Sequence, residues 1–238
     1  MSGWRAKLGV IVPSSNTTTE PEFAAALPNG VSLHAARMRV VEGTVEDISR
    51  MATDGKRCGD LVATADVDCL VYASTTGSLL EGPGYDAEII RQLRESTGTP
   101  TVATAKAIKA AFRALDLESI VIATPYIDDL NEREREFLEA AGFDVRRIEG
   151  LGITRNTEIG SLTTADAYRE AVRIDVDDAD GVYVSCTNWA TFDVVEALER
   201  DLEKPVVTSN QATLWQALDV AGVDTSEIEV GSLFEHTP

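Results

Sequence analysis

Apolar positions along this chain fall into short runs separated by stretches with helical spacing. The runs lie near 7–12, 31–37, 68–73 and 100–103, and the segments near 20–27, 44–65 and 85–97 carry apolar residues three and four apart. The second half repeats this rhythm. Strands are expected near 118–124, 143–149, 180–185 and 205–208, and helices near 128–141, 164–174 and 190–202. Alternation of this kind predicts parallel sheets with crossover helices. A last helix near 211–221 is expected to cross back to the first domain, and an apolar piece at 228–234 to pack at an edge or interface.

The halves also match in register. Residues 8–13 align with 120–125, 30–33 with 142–145, and 68–76 with 180–188, all at an offset of 112; residues 99–104 align with 204–209 at an offset of 105. Four matches in order point to an internal duplication with a seven-residue deletion in the second half. A repetitive α/β pattern without common origin is the rival reading, and it leads to much the same geometry. The expected fold is α/β: two pseudo-symmetric parallel-sheet domains, Rossmann-like or flavodoxin-like, with the active site in the cleft between them. The domains are expected at 1–114 plus 211–238 and at 115–210.

At 238 residues and 44% hydrophobic, the chain can bury two half-sized cores. Its three cysteines, Cys58, Cys69 and Cys186, form neither an even set nor a metal-type spacing, so neither a disulfide framework nor a zinc site is indicated. A reducing cytoplasm fits that usage. The first residues run into a strand without a signal-peptide core, and no apolar run is long enough for a membrane span, so a soluble protein is expected. Forty acidic against 21 basic residues give a net charge of -19, spread along the chain. Such a surface argues against nucleic-acid partners and suits a high-salt cytoplasm, where its self-repulsion is screened.

Ligands of open parallel sheets bind beyond the carboxyl ends of the strands. The loops expected there carry mostly neutral donors: Pro13 to Glu20 after the first strand, Ala73 to Ser78 after the third, Thr124 to Tyr126, Asn156 to Gly160, and Ser185 to Asn188. Hydroxyls, amides and backbone N–H groups suit a small carboxylate, although each loop alone also reads as ordinary caps and turns. Cys186 is the cysteine placed for chemistry, at a strand end where a following helix is expected to lower its pKa. Cys58 and Cys69 read as buried structural thiols. Neither His34 nor His236 sits where a nucleophile would need it, and glycine-rich phosphate loops and metal-spaced clusters are missing. Elimination leaves cofactor-free chemistry. By the repeat, Ser74 aligns with Cys186, so a serine faces a cysteine across the cleft.

Taken together, residues 13–17, 72–78 with 82–86, 124–126, 156–160 and 185–188 resemble the maleate cis-trans isomerase and arylmalonate decarboxylase branch of the aspartate/glutamate racemase superfamily. The resemblance implies two pseudo-symmetric α/β domains, no metal or organic cofactor, and a small dicarboxylate held between the domains. It implies that Asn16, Tyr126 and Asn156 bind substrate carboxylates and that Cys186 is the catalytic acid/base. The isomerases' first cysteine, their nucleophile, falls here on Ser74. The decarboxylases also lack that cysteine, and by likeness to them Thr75, Thr76, Tyr126 and Thr187 would surround the charge left after loss of carbon dioxide. An isomerase-like enzyme, a one-thiol decarboxylase and a carboxylate-binding protein without activity all remain open. The resemblance and the apolar C-terminal piece point to a homo-oligomer. Glu81 to Tyr85 reads either as a flap over the site or as a surface turn.

Overall fold

The computed structural model describes residues 3–237. Eight strands form two four-stranded sheets, each wholly parallel. The first contains β1 (Ala6–Pro13), β2 (Val31–Met38), β3 (Cys69–Tyr72) and β4 (Thr101–Ala103) in the order β2-β1-β3-β4. The second contains β5 (Ser119–Thr124), β6 (Asp144–Gly150), β7 (Gly181–Val184) and β8 (Val206–Thr208) in the order β6-β5-β7-β8. The repeat read from the sequence is the repeat of the pairing. Leu8 pairs with Cys69 as Ile120 pairs with Gly181, and Leu70 pairs with Thr101 as Val182 pairs with Val206.

Strands β1, β3, β5 and β7 are buried almost throughout, because helices cover both faces of each sheet. The helices are α1 (Thr19–Ala26), α2 (Val45–Ala63), α3 (Thr75–Leu79), α4 (Tyr85–Thr97), α5 (Thr104–Ala114), α6 (Asp128–Ala140), α7 (Asn156–Ile159), α8 (Thr164–Ile174), α9 (Val195–Leu202) and α10 (Ser209–Val220). Local chemistry fixes several of their ends. Thr163 with Asp166, and Thr208 with Gln211, form capping boxes on α8 and α10, and Gly98, at φ 70°, closes α4 in a left-handed turn. Gly9 lets α2 lie on β1, since a Cβ there would stand 2.4 Å from Val62.

Helices α5 and α10, which follow β4 and β8, pack along one another, with Thr213 donating to Thr104 at 3.1 Å. Helix α10 also packs on β4 and β3 of the first sheet. The apolar C-terminal piece lies within the chain's own fold. Val230, Leu233 and Phe234 are buried, and Gln211 donates to the Val230 carbonyl at 2.7 Å.

The structure differs from the expected elements in three places. Helix α5 begins directly after the last residue of β4 with no turn between them, and the short α3 and α7 are too brief to show a period. The helix expected from 190 begins only at Val195, after a 3-10 turn at Phe192–Val194. None of the described helices is long and apolar enough to cross a membrane.

Candidate active site

The carboxyl ends of the two sheets face each other across a small pocket with about 420 Å³ of empty space, its open mouth included. All eight residues expected at the site line it: Asn16, Ser74, Thr75, Thr76, Tyr126, Asn156, Cys186 and Thr187. Each stands just beyond a strand, so the topology alone brings together residues more than a hundred positions apart.

Ser74 caps α3, its Oγ accepting from the Gly77 N–H at 3.2 Å, and Ser78 donates to the Ser74 carbonyl at 2.7 Å. The hydroxyl has no base beside it and sits as a cap acceptor rather than as an activated nucleophile. Opposite it, Cys186 occupies a tight turn at φ 120°, a backbone conformation costly for any residue with a Cβ. Its N–H donates to Ser209 Oγ at 3.0 Å, and its sulfur accepts from the Asn188 N–H at 3.3 Å. Thr75 donates to the same Ser209 Oγ at 2.9 Å, so one hydroxyl ties the two facing turns together.

No α-helix starts at Cys186, and the expected fall in its pKa gives way to a rise. Burial pushes the thiol up to about 11, against the opposing pull of hydrogen bonds from Tyr126, Asn188 and Trp189. The resting thiol is therefore protonated. Tyr126 is likewise held well above its ordinary value, first by burial and then by the neighbouring Cys186. Of the other cysteines, Cys69 is buried in β3 and pushed up to about 12 by burial, and Cys58 is buried against α2's neighbours with its Sγ donating to the Arg37 carbonyl at 3.3 Å. Neither lines the pocket.

The two asparagines are partly committed within the protein. Asn16 uses its amide nitrogen on the Thr187 carbonyl and Thr19 Oγ1, at 3.0 and 3.1 Å, and its amide oxygen on the Thr18 and Thr19 N–H groups, both at 2.9 Å. It stitches the first loop to the Cys186 turn. Asn156 donates to Ser15 Oγ at 2.7 Å, which leaves one amide hydrogen free. Asn188 joins Thr17 to Asn156 by accepting from the Thr17 N–H and donating to the Asn156 carbonyl, and Gly160 admits it closely, since a Cβ there would meet both Asn188 and Thr17.

Two features of the pocket were not read from the sequence. One is an apolar wall formed by Pro13, Val40, Ile48, Met51, Leu130 and Ile159. These residues come from five segments of both halves, so no local pattern marks them. The other is Glu134, fully buried on α6, whose carboxylate accepts from Ser185 Oγ at 2.7 and 3.0 Å. Burial pushes Glu134 up to about 7. A signal existed: a glutamate four residues after Leu130 and four before Leu138 interrupts the buried face of its helix.

The mouth is covered from an unexpected side. Gly43 donates to the Thr154 carbonyl at 2.6 Å and Glu42 bridges Arg155, which brings the segment after β2 over the pocket. Residues 81–85 do not line it, because α3 carries the chain away before that turn begins. Among the described residues, the lining includes no lysine, arginine or histidine, and no group of three acidic, histidine or cysteine residues is arranged to hold a metal.

Known proteins resemble this arrangement over nearly the whole chain. A sequence model of the arylmalonate decarboxylase family matches residues 8–234. The maleate isomerase of Geobacillus stearothermophilus is 28% identical over 95% of this chain and 96% of its own length, and the arylmalonate decarboxylase of Bordetella bronchiseptica is 31% identical over 77% and 72%. Among solved structures, a cysteine-to-alanine variant of the maleate isomerase from Pseudomonas putida S16, with maleate, superposes with a TM-score of 0.94 at 26% identity, covering 98% of this chain and 99% of that one.

Proposed function

The chain belongs to the arylmalonate decarboxylase family, and on that footing we propose a cofactor-independent, maleate-isomerase-like enzyme that acts on a small dicarboxylate. Cys186 is its catalytic acid and base. The observation that carries this reading is a buried, protonated thiol set across a small pocket from a turn of neutral donors. A carboxylate lying along residues 74–76 meets backbone N–H groups and the Ser74 and Thr76 hydroxyls, with Tyr126, Thr187 and the free hydrogen of Asn156 completing the shell. As a proton moves between Cys186 and the adjacent carbon, charge builds on that carboxylate. Aimed donors in a dry pocket are worth about 3 kcal/mol each at that moment.

Isomerisation requires the double bond to become single while the ends rotate. A nucleophile adds to one carbon as the other takes a proton, and then both leave. Cys186 supplies the proton, and Ser74 stands where the nucleophile is needed. Its hydroxyl is a poor one without a base, which favours a second reading: decarboxylation of a 2-substituted malonate, with Cys186 protonating the enediolate that remains. The apolar wall supports this alternative, because a carboxylate pressed against Val40, Ile48 and Leu130 is destabilised and departs as neutral carbon dioxide.

Incubation with maleate and with phenylmalonate in D2O, followed by NMR, separates the readings. Fumarate supports the isomerase and deuterated monoacid the decarboxylase. Silence with both, alongside thermal stabilisation by either diacid, leaves a binding protein. We place the protein in a high-salt cytoplasm on the strength of its net charge of -19. Size-exclusion chromatography in molar KCl tests that setting together with the homo-oligomer expected from the sequence.

A further inference from the structure

Glu22, partly buried on α1, lies outside the pocket, yet its hydrogen bonds lead to the Cys186 turn. It accepts from the Thr191 and Phe192 N–H groups and, at 2.6 Å, from the side-chain amide of Asn210. A carboxylate only accepts, so Asn210 must turn its NH2 group toward Glu22. That group's second hydrogen then meets the Thr187 carbonyl, 3.0 Å away. Thr19 donates to the same carbonyl at 2.9 Å and Asn16 at 3.0 Å, so three side-chain donors converge on one backbone oxygen.

The convergence belongs to the half that carries the thiol. At the offsets of the repeat, Asn16, Thr19 and Asn210 fall on Asp128, Asn131 and Ala105, and Asn131 is engaged by Thr124 instead. The matching Thr75 carbonyl lies within α3, where Ser78 donates to it at 3.0 Å. What sets the Thr187 carbonyl apart is the far end of its peptide unit, the Asn188 N–H, which donates to the Cys186 sulfur at 3.3 Å. Donors on a carbonyl draw charge through the conjugated amide and strengthen its N–H as a donor, by about 10–30% per bond. With no α-helix starting at Cys186, this peptide takes the place of a helix terminus.

We propose that Asn210 and Thr19, with Glu22 fixing the Asn210 amide, are positioning residues for Cys186: they polarise the Thr187–Asn188 peptide and so strengthen the donor that meets the sulfur as its proton leaves. None of the three lines the pocket. The same bonds hold the Cys186 turn at φ 120°, a strained conformation that persists only where its surroundings over-determine it. The inference rests on the reading of Cys186 as the catalytic acid.

Iodoacetamide labelling of Cys186 as a function of pH tests it without a substrate. Asn210→Ala and Thr19→Val each remove one donor, and each should raise the labelling midpoint so that the thiolate fraction at a given pH falls about threefold, and about tenfold in the pair. Thr19→Ser keeps the hydroxyl and should match the wild type. The sign separates this role from a merely structural one: a loosened turn admits water, and because burial is what holds the thiol up, its midpoint would fall. Tyr126, Tyr183 and Glu134 are the titratable groups that act on the sulfur, and these variants leave all three in place. Thr19→Val is nearly isosteric and serves if Asn210→Ala, which strips Glu22 of a donor, fails to fold. A midpoint unmoved or lowered in either folded variant, or a Thr19→Ser shift as large as that of Thr19→Val, overturns the inference. Full turnover by Cys186→Ala alongside raised midpoints would overturn the acid reading alone.

Discussion

If burial outweighs the local donors at Cys186, its thiol should titrate about two units above an ordinary cysteine, at about 11 against 9.0. Two units correspond to about 2.7 kcal/mol, or a hundredfold smaller thiolate fraction at any pH well below both values. At pH 8 an ordinary thiol is about one-tenth ionised and Cys186 about one-thousandth. Iodoacetamide is neutral and small, so its labelling rate, followed peptide by peptide with mass spectrometry from neutrality to about pH 12, should trace a midpoint near 11. Limited access lowers the rate at every pH without moving the midpoint. Tyr126→Phe removes a hydrogen bond that favours the thiolate and should move the midpoint higher still. A wild-type midpoint at or below 9 would refute the reasoning: the donors would then have beaten burial, and Cys186 would be a resting nucleophile rather than an acid.

Cys186→Ala should leave the fold and diacid binding intact, and turnover of whichever substrate is found should fall at least a hundredfold; unchanged turnover sinks both enzyme readings. Ser74→Cys supplies the missing thiol at the position opposite Cys186 and should raise maleate isomerisation measurably, while the weaker cap on Gly77 costs about 1 kcal/mol in thermal melts. Because Glu134 binds its proton more tightly folded than unfolded, its contribution is fully present below about pH 4.5 and is lost as pH rises through about 7, a fall of about 3 kcal/mol. Chemical denaturation at intervals between these values should show that slope, flattened in Glu134→Gln. The hydrogen-bonded Asp47, Asp54 and Asp180, all held below the ordinary value, act with the opposite sign and only in stronger acid. The melting temperature should rise by several degrees between dilute buffer and 1 M KCl, where the screening length shrinks to about 3 Å; a flat response removes the argument for a salt-adapted surface.

The sheets were legible to within a residue or two, because the central strands are apolar runs, such as Leu70–Tyr72 and Val182–Val184, and the repeat carries their register to the polar edge strands β2 and β6. The turn residues were legible for the same reason, since position beyond a strand end is a property of the local pattern. Helix α5 was not, as Ala103 ends a strand and Thr104 starts a helix with no turn residue between them. The protonation of Cys186 was not legible, because the sequence locates a thiol relative to its neighbours in the chain, whereas its burial is a property of the folded core and the Tyr126 hydrogen bond and the Glu134 charge that also act on it come from distant segments. The apolar wall and the role of Asn16 as a stitch are equally non-local.

The same asymmetry bears on stereochemistry. A duplicated fold offers two equivalent faces to a planar intermediate, and two thiols would protonate it from both. Here the repeat is broken at the pair that matters, Ser74 against Cys186, while Thr75 and Thr187 keep it. On the proposed reading, protons reach the intermediate from the second half alone. Ser74 cannot compete, because an alcohol is a far weaker acid than even a thiol raised to about 11. Any product with a new stereocentre should form as one enantiomer, and in D2O its deuterium should sit on a single face. Chiral chromatography of the product from a 2-aryl-2-methylmalonate reads this directly. A racemic product from the intact enzyme would mean that a second donor reaches the opposite face, and the assignment of Cys186 as the sole acid would fall. Ser74→Cys with Cys186→Ser moves the thiol across the pocket, and the excess should then invert.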